Sequence, residues 1–178
     1  MTEFLSFWMK ASAVTAGVLL LTLPDFADKT EESVKLYVSA DVRSSYETAI
    51  VSWCEKRLSC TKMAEALYFE ARGDGEKGMT AVANVIMNRA KANGKTPYDV
   101  IVKPHQFSYL SRKSLVVHDK ENHHKSMVIS AMALTGNLKD VTNGSTHYIA
   151  PKRLVRVPKW AKEMEKTVVV RDHQFFRG

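Results

Sequence analysis

Glu70 is the residue whose position most needs a chemical explanation. It stands in the stretch ALYFEARGDGEKGMTAVANVIMNRA, residues 66–90, a carboxylate among aliphatic and aromatic neighbours shortly before a glycine. Met63, Ala66, Leu67 and Glu70 are spaced by three and four, so on a helix they share the face that turns inward. With Gly73 as the C-cap, Glu70 falls in the last helical turn. Burial and the negative end of the helix dipole both favour the protonated acid at such a place, the form a general acid holds near neutral pH. The alternative that the residues allow is a structural ion pair with Arg72 or Arg89.

Other residues have side chains suited to a cleft. Gln106, Phe107 and Ser108 follow a helical segment and could hydrogen-bond and stack on a ligand, or form a buried turn. His147 and Tyr148 sit on a strand-like run, where alternation sends one side chain to the core and the other to a cleft. Trp160, after Pro158, is a ligand platform or a core anchor, and His173 lines the cleft or caps a hairpin. His118, His123 and His124 lie among acids in HDKENHHK, which reads as a solvated helix start and not as a metal site. No metal and no cofactor is expected.

The elements that must position these residues are helical first and β later. Ser44 and Glu47 have capping-box spacing ahead of Tyr46, Ile50, Trp53 and Cys54. Further helices are predicted over about 61–72, about 76–92 with Asp74 near its start and Asn93-Gly94 as its stop, from Thr96-Pro97, and over 120–135. After residue 140, TNGSTHYIA offers an Asn-Gly turn and a strand, and KTVVVRDHQFFR two strands joined around Arg171-Asp172. The fold class is therefore α+β, with a small antiparallel sheet in the C-terminal third beside a helical body. Cys54 and Cys60 would lie ~9 Å apart in a continuous helix, beyond the ~7 Å reach of a disulfide. A bridge between them requires the helix to end near Arg57-Leu58-Ser59.

The ordered blocks ALYFEARGD, AVANVIMNRA, QFS, THYIAP with VPKWAKEMEKT, and DHQFFR resemble the catalytic domain of spore-cortex-lytic enzymes and related bacterial and phage cell-wall hydrolases. The resemblance covers roughly residues 61–177. It divides the chain into residues 1–24, residues 25–60 as an N-terminal extension with a helix, and a catalytic domain over 61–178. It implies a lysozyme- or lytic-transglycosylase-like helical body, cleavage of the glycan strand of peptidoglycan, Glu70 as the catalytic glutamate, and Gln106, Phe107, Ser108, His147, Tyr148, Trp160 and His173 as candidate sugar-binding residues. The family's second acidic position is usually glutamate, and here it is Asp74. A lone carboxylate suits a lytic transglycosylase, whose nucleophile comes from the substrate, and the chain is expected to act as a monomer.

Charge and the N-terminal segment bear on where the chain works. The chain carries a formal +7, and the segment before Asp25 contains only Glu3 and Lys10 as charges, so the remainder keeps that balance. Residues 152–177 hold eight Lys or Arg against three acids. Anionic wall or membrane polymers fit such a surface. Residues 11–23, ASAVTAGVLLLTL, form an uncharged apolar run after Lys10 and before Pro24 and Asp25, close to the ~7–15 residues of a signal-peptide core. They predict export, with residues 1–24 as a signal peptide or, through residues 4–23, an uncleaved membrane anchor. A periplasmic or membrane-held position facing the wall follows. Two rivals differ in class: a zinc-dependent amidase cutting the peptide stem, for which no ligand set is visible, and a basic nucleic-acid binder using Tyr148, Trp160 and Phe175. Export and the glutamate in the apolar stretch argue against nucleic acid as the partner.

Overall fold

A computed structural model describes residues 40–178 except Lys113, with side chains from Ser44 onward apart from that of Arg153. The signal or anchor segment and the first part of the N-terminal extension lie outside the described residues. Residues Ser39–Gly178 form one compact unit, so the helix preceding Cys60 is built into it.

Helix α1 spans Ala40–Glu55 and helix α2 spans Leu58–Ala71. Because α1 begins at Ala40, Ser44 lies inside the helix, and the capping box expected there does not form. Ser44 instead offers its carbonyl to the Thr48 hydroxyl, one turn on, at 2.9 Å. The chain breaks at Lys56-Arg57, where Arg57 turns extended (φ −130°, ψ 112°) and its guanidinium folds back over the Trp53 ring. The break brings the Cys54 and Cys60 Cα atoms to 5.1 Å, and a disulfide joins them. Both cysteines are buried with Ala64, Met127 and Ala131, which ties α1 and α2 to the helix that carries the last two.

Helix α3 runs Gly75–Asn93, α4 runs Pro97–Val102 and α5 runs Lys120–Leu134. The stop of α3 is the expected one: Gly94 adopts the left-handed conformation (φ 59°) that glycine reaches without steric cost. Helix α4 starts on a complete Thr96/Asp99 capping box with Pro97 at its first position. The end of α2 departs from expectation. Helix α2 passes into a 3-10 turn, Arg72–Asp74, and the left-handed glycine is Gly75 (φ 66°), not Gly73. The hinge therefore falls two residues later than the first glycine suggests, and Glu70 still stands in the last turn of α2. Met63, Leu67, Met79, Ile86 and Ile101 meet with no exposed surface between α2, α3 and α4. Each buried side chain of this size contributes ~1.5–3 kcal/mol, which holds the end of α2 in place.

The last third supplies a three-stranded antiparallel sheet in the order β1-β3-β2, with β1 His147–Ile149, β2 Glu165–Val170 and β3 His173–Arg177. The Asn143-Gly144 turn leads to β1, both residues having positive φ, and Arg171 (φ 53°) turns the β2–β3 hairpin. Phe175 enters the interior against Ala81 and Val85 of α3, seating the sheet on the helical body. Helix α6, Trp160–Glu163, lies between β1 and β2 in the chain.

Candidate active site

Glu70 opens onto a cleft of about 710 Å³ lined also by Arg89, Tyr148 and residues between Val102, at the end of α4, and Ser111. The carboxylate is half-buried, not enclosed as its helical face suggests, because the chain beyond α4 leaves one side open. Each oxygen receives one long hydrogen bond: the Ser108 hydroxyl donates to Oε1 at 3.3 Å, and the Tyr148 hydroxyl donates to Oε2 at 3.4 Å. Neither arginine pairs with it, contrary to the alternative reading. Arg72 lies over the Tyr68 ring, and Arg89 is engaged elsewhere. Among the described residues lining the cleft, Glu70 is the only carboxylate.

The Gln106-Phe107-Ser108 segment comes to the cleft as a unit. Ser108 is exposed and begins a 3-10 turn, Gln106 is half-buried, and Phe107 is buried with its ring 6.2 Å from Tyr109. Phe107 thus serves as wall packing, leaving the polar atoms of Gln106 and Ser108 for a ligand. Buried Tyr109 stacks on Phe69 at 5.4 Å and backs the same wall. Burial, and then the charges of Glu65 and Glu70, push the Tyr109 phenol well above its ordinary range.

Arg89 is the main site residue that sequence reasoning did not place in the cleft. It stands on α3, where its Nε donates to the Thr146 carbonyl at 2.5 Å and its Nη1 to Gln106 Oε1 at 3.3 Å. Burial lowers its pKa, partly offset by Tyr148. One guanidinium thus joins the loop before β1 to the segment after α4. Two asparagines on the same helix complete that attachment: Asn84 Oδ1 accepts from the Val141 amide at 3.0 Å, and Asn88 Nδ2 donates to Asp140 Oδ2 and to the Ser145 carbonyl, both at 3.1 Å. Asp140 in turn accepts from the Thr142 and Gly144 amides, closing the loop on itself. The signal was present in AVANVIMNRA. Asn84 and Asn88, one turn apart in an apolar helix, require buried partners, since an unpaired buried amide costs ~1–3 kcal/mol.

Strand β1 sends its side chains to opposite sides, as alternation requires. Tyr148 faces Glu70, and its phenol is pushed far above its ordinary range by burial first and by the Glu70 charge second, so it stays a neutral donor. His147 turns the other way, to the Thr146 hydroxyl at 2.9 Å and the Trp160 ring at 5.2 Å. Trp160 packs edge-on against Phe176 at 5.6 Å. Neither His147 nor Trp160 is among the residues lining the cleft, so Trp160 holds the position of a core anchor.

His173 does not line the cleft either. It is buried on β3, its ring edge-on to Tyr148 at 5.3 Å, and its Nδ1 lies 2.5 Å from Asp74 Oδ2. The two groups form a buried ion-pair contact, and neither atom has another polar partner among the described residues. Asp74 precedes α3 without capping it through its side chain. Among the described residues, no three His, Cys, Asp or Glu converge as a metal site.

The chain is 27% identical to the catalytic domain of the germination-specific lytic transglycosylase SleB from Bacillus anthracis, with a TM-score of 0.55 over 67% of this chain and 93% of that one. The catalytic domain of the Bacillus cereus SleB protein is 26% identical, with a TM-score of 0.55 over 67% of this chain and 89% of that one. No curated protein matches by sequence. The profile of the family described as Cell Wall Hydrolase matches residues 73–176, from the turn after Glu70 to the end of β3. The chain belongs to the cell wall hydrolase family.

Proposed function

We propose that this cell wall hydrolase cuts the peptidoglycan glycan strand between N-acetylmuramic acid and N-acetylglucosamine as a lytic transglycosylase, with Glu70 as acid and then base. The observation that carries the reading is that Glu70 is the one carboxylate among the described residues lining the cleft. Hydrolysis by a carboxyl pair needs a second group ~5–5.5 Å away, or ~6.5–9.5 Å away with a water between. Asp74, the remaining motif acid, is buried against His173. The similarity to SleB, a lytic transglycosylase by description, supports the same reading.

Protonated Glu70 gives its proton to the glycosidic oxygen as the bond to the muramic C1 breaks and the glucosamine hydroxyl leaves. The carboxylate then takes the proton of the muramic C6 hydroxyl as that oxygen closes on C1, giving a 1,6-anhydro end and restoring the acid. No water is consumed, and the internal nucleophile benefits from a high effective concentration. Ser108 and Tyr148 keep the carboxyl aimed into the cleft, while Arg89 and Gln106 offer donors and acceptors to the sugars. The catalytic module spans 61–178, braced by α1 through the disulfide, and it works outside the cytoplasm, where its substrate lies. Solubilisation of purified sacculi tests the reading. Glu70→Gln should lower the rate by ~10²–10⁴-fold with an unchanged melting temperature, the range for losing a general acid or base. A variant that still clears sacculi at the wild-type rate would overturn it.

A further inference from the structure

The connection between β1 and α6 carries chemistry that the cleft does not use. Over residues 154–157 the run Leu-Val-Arg-Val places aliphatic side chains in solvent: Leu154 and Val157 are each 39% exposed, and Val155 is fully exposed. Beside them is a groove of about 420 Å³ lined by Arg156, Val157, Pro158, Lys159 and Lys162, three cations and no acid. Lys159 lies 3.6 Å from Glu163, both well exposed, a contact worth little in water. Arg156 and Lys162 have no ion pair among the described residues. Packing does not require an aliphatic tip in water, and such a patch with a polar rim marks a surface for contact.

We propose that this loop docks the protein on an anionic phospholipid bilayer. Val155 enters the apolar edge of the headgroup layer, with Leu154 and Val157 beside it, and Arg156, Lys159 and Lys162 hold lipid phosphates in the groove. Charge alone would fit a soluble anion or a wall polymer equally well. The aliphatic tip selects the bilayer, because neither a sugar nor an inorganic anion gives three branched side chains an apolar partner. Docking here would keep the enzyme at the wall layer nearest the membrane.

The test uses the full chain with Val155→Cys carrying an environment-sensitive fluorophore. Cys54 and Cys60 are bonded to each other, so the new thiol labels alone. A label at Val116→Cys, on an exposed loop elsewhere, is the control. A local reporter is needed because residues 11–23 are themselves apolar and could bring the chain to lipid by another route. Vesicles rich in phosphatidylglycerol should shift the 155 label to the blue and leave the 116 label unchanged, while phosphatidylcholine vesicles shift neither. Each cation near an anionic surface changes partitioning by roughly fivefold, so R156Q/K159Q/K162Q should weaken the response on the order of a hundredfold. The proposal fails if the 155 label stays in water while the protein sediments with the vesicles. It also fails if both labels shift alike, if zwitterionic vesicles do as well, or if only purified wall polymer perturbs the loop.

Discussion

Removing the Tyr148 hydroxyl is the sharpest single perturbation of the proposed acid. Tyr148→Phe deletes the donor to Glu70 Oε2 and leaves the ring, whose contacts with His173 at 5.3 Å and Phe175 at 5.7 Å seat β1 on the body. A hydrogen bond to a charged group contributes ~1.5–3 kcal/mol, and the 3.4 Å length places this one at the weak end. A loss of ~1.5 kcal/mol, if it falls on the transition state, is about tenfold in rate. Because burial pushes the phenol far above neutrality, the donor is present at every working pH. Turnover of sacculi, read beside a thermal melt, is the assay. The expected result is a rate lower by about tenfold with a melting temperature within a few degrees of wild type. Ser108→Ala should cost a similar factor, and the double variant should lose less than the product of the two, since both hydroxyls restrain one carboxyl group. An unchanged rate in Tyr148→Phe would refute the positioning role. A collapse of stability and activity together would assign Tyr148 to the fold.

Three further outcomes follow from particular contacts. Replacing Cys54 and Cys60 by serine opens a short loop whose closure is worth about 2 kcal/mol, so the melting temperature should fall by roughly 4–8 °C with the room-temperature rate intact. Burial first and then Arg89 depress the His147 pKa, so the unfolded chain takes up a proton at higher pH than the folded one. Its contribution to stability is therefore present above the unfolded value near ~6.5 and is lost as pH falls below it; melting curves of His147→Gln should lose part of the wild-type decline on acidification. Gly78→Ala places a methyl group 2.3 Å from Asp74 Cβ, an atom close to the backbone that cannot swing away. Despite the better helix propensity of alanine, denaturant unfolding should show a loss of ~1–3 kcal/mol.

Period and turn chemistry made the helices, the strands after residue 140 and the position of Glu70 on α2 legible in the sequence, because each depends on neighbours within a few residues. What escaped depends on distant partners. The Ser44/Glu47 pair has the spacing of a capping box, but α1 begins before it at Ala40, so local capping did not decide the helix start. Gly73 and Gly75 both punctuate the chain, and only Gly75 takes positive φ, with Gly78 packed against Asp74. Arg89 looked like a possible ion-pair partner for Glu70, yet the Thr146 carbonyl, 57 positions away, and Gln106 hold it instead. His147, Trp160 and His173 carry sugar-binding chemistry in their side chains, but His147 lies opposite Phe176, on the side of the sheet away from Tyr148 where Trp160 also packs, and His173, on Tyr148's own side, is buried against Asp74. Periodicity predicts which face of an element is buried; it does not say what that face meets.

The central claim is that one carboxyl group, with a nucleophile from the substrate itself, cuts the strand. Mass spectrometry of muropeptides released from sacculi by the wild-type chain, in water enriched in heavy oxygen, tests it most directly. The account predicts 1,6-anhydromuramic ends, lighter than hydrolysed ends by one water and free of the heavy isotope, and their absence with Glu70→Gln. Reducing muramic ends carrying the heavy oxygen would contradict it and require a water held opposite Glu70.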